Sequence, residues 1–230
     1  MAIQVRILPS TDLFHRDPQE TDLGRRILEH SIELLNELGL EAFTFKKLAT
    51  RLSSAEASIY RYFNSKHQLL LYLVSWYWDW VHHLVNQAIL AEDTPSNQLK
   101  AAIKALTKPY IVNPGVAYIN EQLLHRIVIN EGSKAYHTKA VDQENNKGLF
   151  LGYKSLSNEL ANLILQIKPD FPYPRALATN LFEMAHNHPY FAQHLPRLTD
   201  LKKGDNLNEK LEEMLWYWVE GLVAASAASE

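Results

Sequence analysis

The 230-residue sequence contains no cysteine, only 8 glycines and 10 prolines, and no long hydrophobic run. The absence of cysteine excludes disulfides, thiolate metal ligands, cysteine nucleophiles and thiol redox chemistry. So few glycines and prolines do not supply the many turns of an all-β fold. No apolar run reaches the roughly 18 residues of a membrane span, and the first residues lack the apolar centre of a signal peptide. We therefore expect a cytoplasmic protein.

Hydrophobic residues make up 47% of the chain and charged residues 21%, with a formal net charge of -3. This composition suffices for the packed core of one domain or of two small ones. Apolar residues recur at steps of three and four, and no segment alternates strictly as a half-buried strand does. The pattern predicts an all-α protein, with helices at about 22–38, 45–52, 55–62, 66–91, 96–107, 115–130, 148–167, 174–187 and 207–225.

Residues that favour helix ends mark several of these boundaries. Thr21 or Asp22 is expected to cap the first helix, and Gly39 to end it. Ser65, with Gln68 three residues later, forms a capping box that starts the long helix. Short helices give way to long ones near residue 65. The predicted organisation is an N-terminal arm (1–20), a three-helix domain (21–65) and a larger helical domain (66–230).

Two short helices separated by a tight turn, after a supporting helix, form the pattern of a helix-turn-helix. Residues 44–67 contain five basic residues against one acidic residue, although the whole chain is acidic. A basic patch on an acidic body directs polyanions such as DNA to one end. Ile59 and Phe63 lie four residues apart and are expected to share a buried face. The remaining surface then belongs to Tyr60, Arg61 and Tyr62.

The segment FTFKKLATRLSSAEASIYRYFNSKHQLLLYL resembles the DNA-binding region of the TetR family of bacterial transcriptional regulators. Its most specific part runs from Leu-Ala at 48–49, through IYRYF at 59–63, to Ser65 and Lys66. The resemblance covers about residues 22–75. It implies a homodimer that places one recognition helix per subunit in the major groove of double-stranded operator DNA. It also implies a C-terminal helical domain that binds a small-molecule effector and dimerises.

On the matching positions, the resemblance implies two groups of DNA-contacting residues. The base-facing group is Lys46, Glu56, Ala57 and Tyr60. The phosphate-contacting group is Thr44, Ser58, Arg61, Tyr62 and Lys66.

The chain departs from the family pattern at the turn and at the start of the recognition helix. Ser53 and Ser54 stand where the family usually has Gly and Val, and Ser53 is strained there if the turn needs a positive φ. Ala55 replaces the usual Ser or Thr cap, which forfeits roughly 1 kcal/mol. Glu56 has two interpretations. It accepts a hydrogen bond from the N4 amino group of a cytosine, or it is only a favourable charge at the helix start.

The tryptophans of the long helix also have two interpretations. They anchor that helix between the two domains, or some of them line the effector pocket. Pockets of this kind are mostly apolar with a few convergent polar groups, so the effector is predicted to be largely apolar. The predicted pocket residues are Trp76, Trp80, Tyr118, Leu123, His125, Phe182 and His186.

The last helix and the helix at 148–167 both carry apolar stripes. A terminal helix with so much apolar surface is either covered by its own chain or pairs with a partner. The family resemblance implies that two long helices near the C terminus form a four-helix dimer interface. The predicted interface residues are Leu156, Leu160, Leu163, Leu211, Leu215, Trp218 and Leu222.

The ten histidines form no recognisable metal site, and no catalytic motif is present. His82 and His83 are adjacent, while His186 and His188 are two residues apart. Neither pair has the i, i+4 spacing of a helical zinc site. A P-loop, a G-x-S-x-G motif and a glycine-rich turn after a strand are also absent from the sequence. We expect no metal, no cofactor and no enzymatic activity.

The sequence therefore predicts a TetR-like DNA-binding transcriptional regulator, interpreted as a repressor that a small, largely apolar effector releases from DNA. The alternative is a helical dimeric interaction module that keeps the fold but has lost specific operator binding. A preferred DNA sequence distinguishes the two hypotheses, because a module of the second kind binds DNA without sequence preference.

Overall fold

The computed structural model describes residues 13–111, 116–204 and 206–223. Over these residues the regular structure is helical and contains no β-strand, which confirms the predicted all-α class. Within the same residues, no helix is long and apolar enough to cross a bilayer. The α-helices are α1 (Asp22–Ala42), α2 (Phe45–Leu52), α3 (Glu56–Tyr60), α4 (Lys66–Leu90), α5 (Pro95–Leu106), α6 (Glu121–Glu131), α7 (Ser133–Tyr136), α8 (Val141–Asn146), α9 (Leu151–Ile167), α10 (Pro174–His194) and α11 (Leu207–Val223).

Helix α1 begins where the sequence predicts and is interrupted at Gly39. Thr21 is the N-cap, and its hydroxyl accepts a hydrogen bond from the Gly24 N–H at 3.0 Å. Gly39 has φ 71° and ψ 166°, a backbone conformation that is open essentially only to glycine. The chain then continues in the same helical element to Ala42. The predicted helix end at Gly39 is therefore a kink within α1.

Helices α2 and α3 with the turn between them form the predicted helix-turn-helix. Thr44 caps α2, because its hydroxyl accepts a hydrogen bond from the Lys47 N–H at 3.2 Å. Helix α3 covers Glu56–Tyr60 and is shorter than the predicted 55–62. The residue at its N-cap, Ala55, makes no side-chain capping bond, as its sequence predicts.

The long helix α4 starts with the predicted capping residues. The Gln68 N–H donates to the Ser65 hydroxyl at 3.2 Å, and the Gln68 side-chain oxygen accepts from the Asn64 N–H at 2.6 Å. The reciprocal bond of a capping box is thus present, but it reaches one residue further back than predicted.

Three later helices differ from their predicted ranges. Helix α6 begins at Glu121, because Asn120 caps it with a bond from the Leu123 N–H at 3.0 Å, and the predicted start at 115 lies outside the described residues. Helix α9 begins three residues later than predicted, since Gly148 adopts a φ of 78° just before it. Helix α10 continues past residue 187 with Pro189 inside it. Between the predicted helices at 115–130 and 148–167, the structure contains two further short helices, α7 and α8. The predicted residues 1–12 of the arm and 224–225 of the last helix lie outside the described residues.

The chain divides into two compact units, each of which is described by itself. The first unit comprises the described residues up to Trp80 and Tyr110–Leu151, and in it α1 packs against α2, α6 and a 3₁₀ turn at Pro18–Glu20. The second unit comprises Val81–Pro109 and the described residues from Gly152 onward, and in it α10 packs against α5 and α11. The boundaries predicted at residues 20 and 65 stay predictions.

The turn of the helix-turn-helix holds Ser53 in the left-handed conformation, with φ 51° and ψ 43°. Among the described residues it is the one non-glycine residue with positive φ. A side chain disfavours this conformation by roughly 1–2 kcal/mol, because Cβ approaches the following carbonyl oxygen. The strain anticipated at this departure from the family pattern is therefore present.

Ser53→Gly is expected to raise the free energy of unfolding by about 1 kcal/mol, because glycine adopts positive φ without that contact. Chemical denaturation of the two proteins measures the change. Ser54→Gly is the matched control, since Ser54 has no positive φ and its replacement only adds entropy to the unfolded chain. The control is expected to lose stability slightly. Equal changes in both variants would show that Ser53 is not strained.

Candidate nucleic-acid interface

The candidate interface is built on a small core beneath α3. Ile59 and Phe63, predicted to share a buried face, are both fully buried. The ring of Phe63 packs edge-on against Tyr72 of α4, with 5.4 Å between ring centroids. With these side chains directed inward, Ala57 and Tyr60 of α3 remain exposed to solvent. The exposed part of this short helix is the surface that the sequence assigns to base contacts.

Tyr60 is the largest exposed side chain of α3, and two contacts hold it. Its ring packs edge-on against Phe45 of α2 at 5.1 Å, and its hydroxyl donates to the Glu56 carboxylate at 3.4 Å. It is still 47% exposed. Glu56 thus lies beside the uncapped start of α3 and also touches a predicted base-facing residue. Both interpretations of Glu56 stay open.

The structure places Tyr62 differently from the sequence prediction. Its side chain is buried, and its hydroxyl lies 2.6 Å from the hydroxyl of Thr21, the N-cap of α1. The hydroxyl is directed into the first unit and not toward the exposed side of α3, and the predicted phosphate contact of Tyr62 stays a prediction that this placement does not support. Tyr62 follows Ile59 by three residues and precedes Phe63, so it lies on the buried side that those two residues define.

The two lysines nearest the end of α1 are bonded to its last carbonyl groups. The Lys66 ammonium donates to the carbonyls of Leu40 at 2.9 Å and of Glu41 at 3.2 Å. The Lys47 ammonium donates to the Ala42 carbonyl at 2.7 Å. Carbonyls at a helix C terminus lack partners within the helix and attract cations. These lysines are therefore engaged within the first unit.

The remaining cations of the region, Arg51, Arg61 and Lys46, differ in whether their charged groups are already bonded within the first unit. Arg51 makes a two-bond ion pair with Glu37, at 3.0 and 2.9 Å, and this bonding lowers the pKa of Glu37. The side chains of Arg61 and Lys46 are exposed, and their charged groups make no ion pair or hydrogen bond within the described residues. Of the five cations counted in the sequence, these two are the ones available to an external anion.

The other predicted DNA contacts lie at the edge of this surface. Thr44 is exposed although its hydroxyl caps α2, and Ser58 is half-buried. The side chains that the structure brings to the exposed side of the helix-turn-helix are thus Thr44, Lys46, Glu56, Ala57, Ser58, Tyr60 and Arg61.

Five of the predicted effector-pocket residues lie in the first unit. Trp76 and Trp80 are buried neighbours with ring centroids 6.2 Å apart. His125 bonds through Nδ1 to the Tyr77 hydroxyl at 2.8 Å. Tyr118 donates from its hydroxyl to the Gln19 side chain at 3.2 Å. Leu123 is half-buried. The aromatic pair is therefore interior, whereas Tyr118 contacts the segment that precedes α1.

The other two predicted pocket residues lie on α10 in the second unit. Phe182 is fully buried and packs edge-on against Tyr153 at 5.0 Å. His186 is buried, and this burial lowers its pKa to about 4, against an opposing hydrogen bond to the Phe182 carbonyl. Burial disfavours the charged imidazolium. The histidine is therefore neutral at physiological pH. No cluster of three or more His, Asp or Glu side chains suited to a metal occurs within the described residues.

Most of the predicted dimer-interface residues are covered by their own chain. The leucines at 156, 160, 163, 211 and 215 are buried in the second unit and cannot offer surface to a partner. Their repeat along α9 and α11 marks the faces that pack inside the unit. Trp218 is half-buried and Leu222 is 51% exposed, so these two remain at the surface.

An apolar groove between α10 and α11 contains both remaining residues. It encloses about 400 Å³ and is lined by Leu177, Asn180, Leu181, Met184, Tyr217, Trp218, Gly221 and Leu222. Tyr217 is 74% exposed. The α10 wall of this groove was missed by the sequence analysis, although Leu177, Leu181 and Met184 follow one another at steps of four and three. The same spacing occurs in a helix buried on that face, so it does not reveal an open groove.

The N-terminal region matches a known family. Residues 27–73 match the model of the bacterial regulatory proteins of the tetR family. The match includes most of α1, all of α2 and α3, and the first part of α4. No significant match was found among curated proteins.

Solved structures share the fold over most of the chain at low sequence identity. AibR, solved with isovaleryl coenzyme A and operator DNA, has a TM-score of 0.58 and 15% identity, covering 86% of this chain and 98% of that chain. A tetR-family regulatory protein from Rhodococcus RHA1 has a TM-score of 0.59 and 14% identity, covering 89% and 97%. The ketosteroid transcriptional regulator KstR2 of Mycobacterium tuberculosis has a TM-score of 0.54 and 15% identity, covering 86% and 93%. These findings confirm the resemblance to the TetR family.

Proposed function

We propose that this chain, which has a TetR-family helix-turn-helix within the fold of that family's transcriptional regulators, is a repressor. It binds operator DNA as a homodimer and is released by a small, largely apolar effector. The observation that carries the proposal is the exposed face of α3, which presents a fixed tyrosine next to an unpaired arginine.

The DNA-binding part follows from the chemistry of that face. The ring of Tyr60 is held against Phe45, so its hydroxyl is presented in a restricted direction. Base edges in the major groove offer donors and acceptors to such groups. Arg61 directly follows α3, and Lys46 lies in α2. Their free charges suit phosphate oxygens, and phosphate contacts fix the register of a protein on DNA. The proposed contacts are Thr44, Lys46, Glu56, Ala57, Ser58, Tyr60 and Arg61. Lys66 is left out because its ammonium is bonded to the Leu40 and Glu41 carbonyls.

The homodimer part follows from the groove between α10 and α11. Tyr217 and Leu222 expose much of their apolar surface there, and Trp218 adds a half-buried indole. Exposed apolar patches of this kind mark interaction sites, and aromatic anchors dominate such interfaces. A second copy of the chain supplies the same side chains in a self-complementary contact. Pairing sets two recognition helices roughly 34–36 Å apart, one turn of B-DNA.

The effector part rests on the interior residues of each unit and on the relatives of similar fold. In the first unit, Trp76 and Trp80 form a buried indole pair. In the second unit, the neutral His186 offers a polar group without charge. Apolar surroundings with few polar groups select largely apolar ligands. An effector that binds better to the conformation with low DNA affinity weakens DNA binding. By linkage, DNA then lowers the affinity for the effector by the same factor.

A second candidate function is a dimeric helical interaction module without operator specificity. The observation that favours it is the engagement of Lys47, Arg51 and Lys66 within the first unit, together with the strained Ser53. Fewer free cations reduce the electrostatic part of DNA affinity, and an uncapped α3 reduces the rigidity of the base-reading surface.

Selection from a pool of random DNA duplexes tests the proposed function. The repressor is expected to enrich an inverted repeat with half-sites about one helical turn apart. Repetition with a panel of small apolar compounds is expected to yield at least one that lowers retention of the enriched duplex. Retention that falls steeply with salt, without any enriched sequence, would instead establish the second candidate.

Arg61→Ala is expected to weaken binding to every duplex and to flatten its salt dependence. Each phosphate contact contributes about 0.9 to the slope of log K against log salt concentration, so the loss is about 1.8 for a dimer. Filter binding or fluorescence anisotropy over a salt series measures the slope. Arg51→Ala is the matched control, because Arg51 is paired with Glu37 and should leave the slope unchanged. Equal slopes for Arg61→Ala and the unaltered protein would remove Arg61 from the interface.

Leu222→Asp is expected to convert the dimer to a monomer, because an unpaired carboxylate in an apolar interface is costly to desolvate. Sedimentation at micromolar concentration measures the association state. Leu90→Asp is the matched control, since Leu90 is 78% exposed at the end of α4 and lies outside the groove. The control is expected to remain dimeric. A dimeric Leu222→Asp variant would show that the groove is not the interface.

A further inference from the structure

The backbone of α1 is interrupted at Gly39, and side chains of α6 and α4 contact the next residue, Leu40. Gly39 leaves the helical conformation, so the Leu40 N–H is turned away from the Asn36 carbonyl that a regular helix would offer. This N–H donates to Oε1 of Glu131, the last residue of α6, at 2.9 Å. The Leu40 carbonyl accepts from Lys66 of α4 at 2.9 Å. Side chains of α6 and α4 thus hold both polar backbone groups of Leu40.

Glu131 is suited to this role by its burial and by its second contact. Its side chain is only 12% exposed, and its other oxygen lies 2.8 Å from the Lys134 ammonium. Lys134 also lies 3.1 Å from the Glu41 carboxylate. These two carboxylates, that of Glu131 first, raise the pKa of Lys134. The Glu131 carboxylate therefore contacts the Lys134 ammonium through one oxygen and the Leu40 N–H through the other.

Glycine at position 39 is favoured by this contact as well as by the backbone. A Cβ at Gly39 would lie 3.1 Å from Oε1 of Glu131, which is tighter than an ordinary contact. The positive φ of Gly39 disfavours any side chain independently. The kink and the carboxylate therefore fit each other closely.

The held segment leads directly into the helix-turn-helix. The Phe43 N–H donates to the Gly39 carbonyl at 3.1 Å, and Thr44 then caps α2. Only Phe43 and Thr44 separate the end of α1 from α2. Any displacement of Leu40 is consequently passed to the start of α2 over a short, hydrogen-bonded connection.

We propose that Glu131 is a positioning residue for DNA binding: through the Leu40 N–H it ties α6 to the start of the helix-turn-helix. Movement of α6 then either shifts the connection between α1 and α2 or breaks the hydrogen bond that holds it to Glu131. The inference rests on the proposed DNA-binding function, and it names the side chain through which α6 acts on that function. The competing view is that Glu131 contributes only an ion pair with Lys134.

Two conservative variants separate these views. Glu131→Asp keeps the charge beside Lys134 but is one methylene too short for the Leu40 N–H. Glu131→Gln loses the charge but retains a side-chain oxygen at the same reach. Hydrogen exchange at the Leu40 amide reports this bond without any DNA. It is followed by NMR, or by mass spectrometry on a peptide that begins several residues before Leu40, because the first two amides of a peptide lose their label. We expect faster exchange in Glu131→Asp and near-original protection in Glu131→Gln.

DNA affinity is expected to follow the same order. With the duplex enriched by selection, Glu131→Asp should bind about tenfold more weakly and Glu131→Gln nearly as well as the original protein. Lys134→Met keeps the acceptor and removes the ion pair, so it should resemble Glu131→Gln. Glu159→Ala, which removes a carboxylate hydrogen-bonded to His82 in the second unit, is the control for loss of a carboxylate elsewhere and should leave residues 39–44 protected.

The outcomes decide the proposal in either direction. Greater loss in Glu131→Gln or Lys134→Met than in Glu131→Asp would overturn it in favour of the ion pair. Unchanged exchange and affinity in Glu131→Asp would also overturn it. If no duplex is enriched, the proposed repressor function fails, but the exchange experiment still decides whether Glu131 holds the Leu40 amide.

Discussion

Backbone groups at interrupted and terminal helix turns need hydrogen-bond partners outside their own helix, and the first unit is arranged around this need. At the end of α1, Glu131 accepts from the Leu40 N–H, while Lys66 and Lys47 donate to the carbonyls that follow. A buried polar group without a partner costs about 1–3 kcal/mol. Charged side chains of α6, α4 and α2 are therefore bonded to backbone groups near the start of α2, and the role proposed for Glu131 makes the orientation of the helix-turn-helix depend on this bonding.

Cations that are bonded to groups within the first unit are less available to DNA, so the local count of basic residues is a poor measure of DNA attraction. Five basic residues between positions 44 and 67 suggest a strongly attractive surface. An ammonium group bonded to two carbonyls, as in Lys66, has already satisfied most of its donors. An arginine paired with a carboxylate, as Arg51 is with Glu37, forms a pair whose net charge is close to zero. Charge counted along a sequence thus overstates the charge offered to phosphate, and the geometry of each cation decides its contribution.

Local chemistry was predictable, whereas long-range partners were not. The caps at Thr21 and Thr44 and the glycine break follow from preferences that act within one helical turn, so the sequence reveals them. The burial of Tyr62 was missed because α3 has five residues, too few for a periodic pattern to assign a residue beyond its end. The bond between Glu131 and Leu40 joins residues 91 positions apart. No spacing rule connects two such positions before the fold is known.

The C-terminal helices show a different limit of periodicity. Helix α11 has apolar residues on two adjacent faces: the face with Leu211 and Leu215 is buried, and the face with Tyr217 and Leu222 is open. A step of four residues occurs on both faces, from Leu211 to Leu215 and from Trp218 to Leu222, so a stripe in the sequence does not tell which one packs inside. A second apolar face on the same helix adds no stability to the unit when no other part of the unit covers it. The open face therefore indicates a contact beyond the unit, which is the role proposed for the groove with α10.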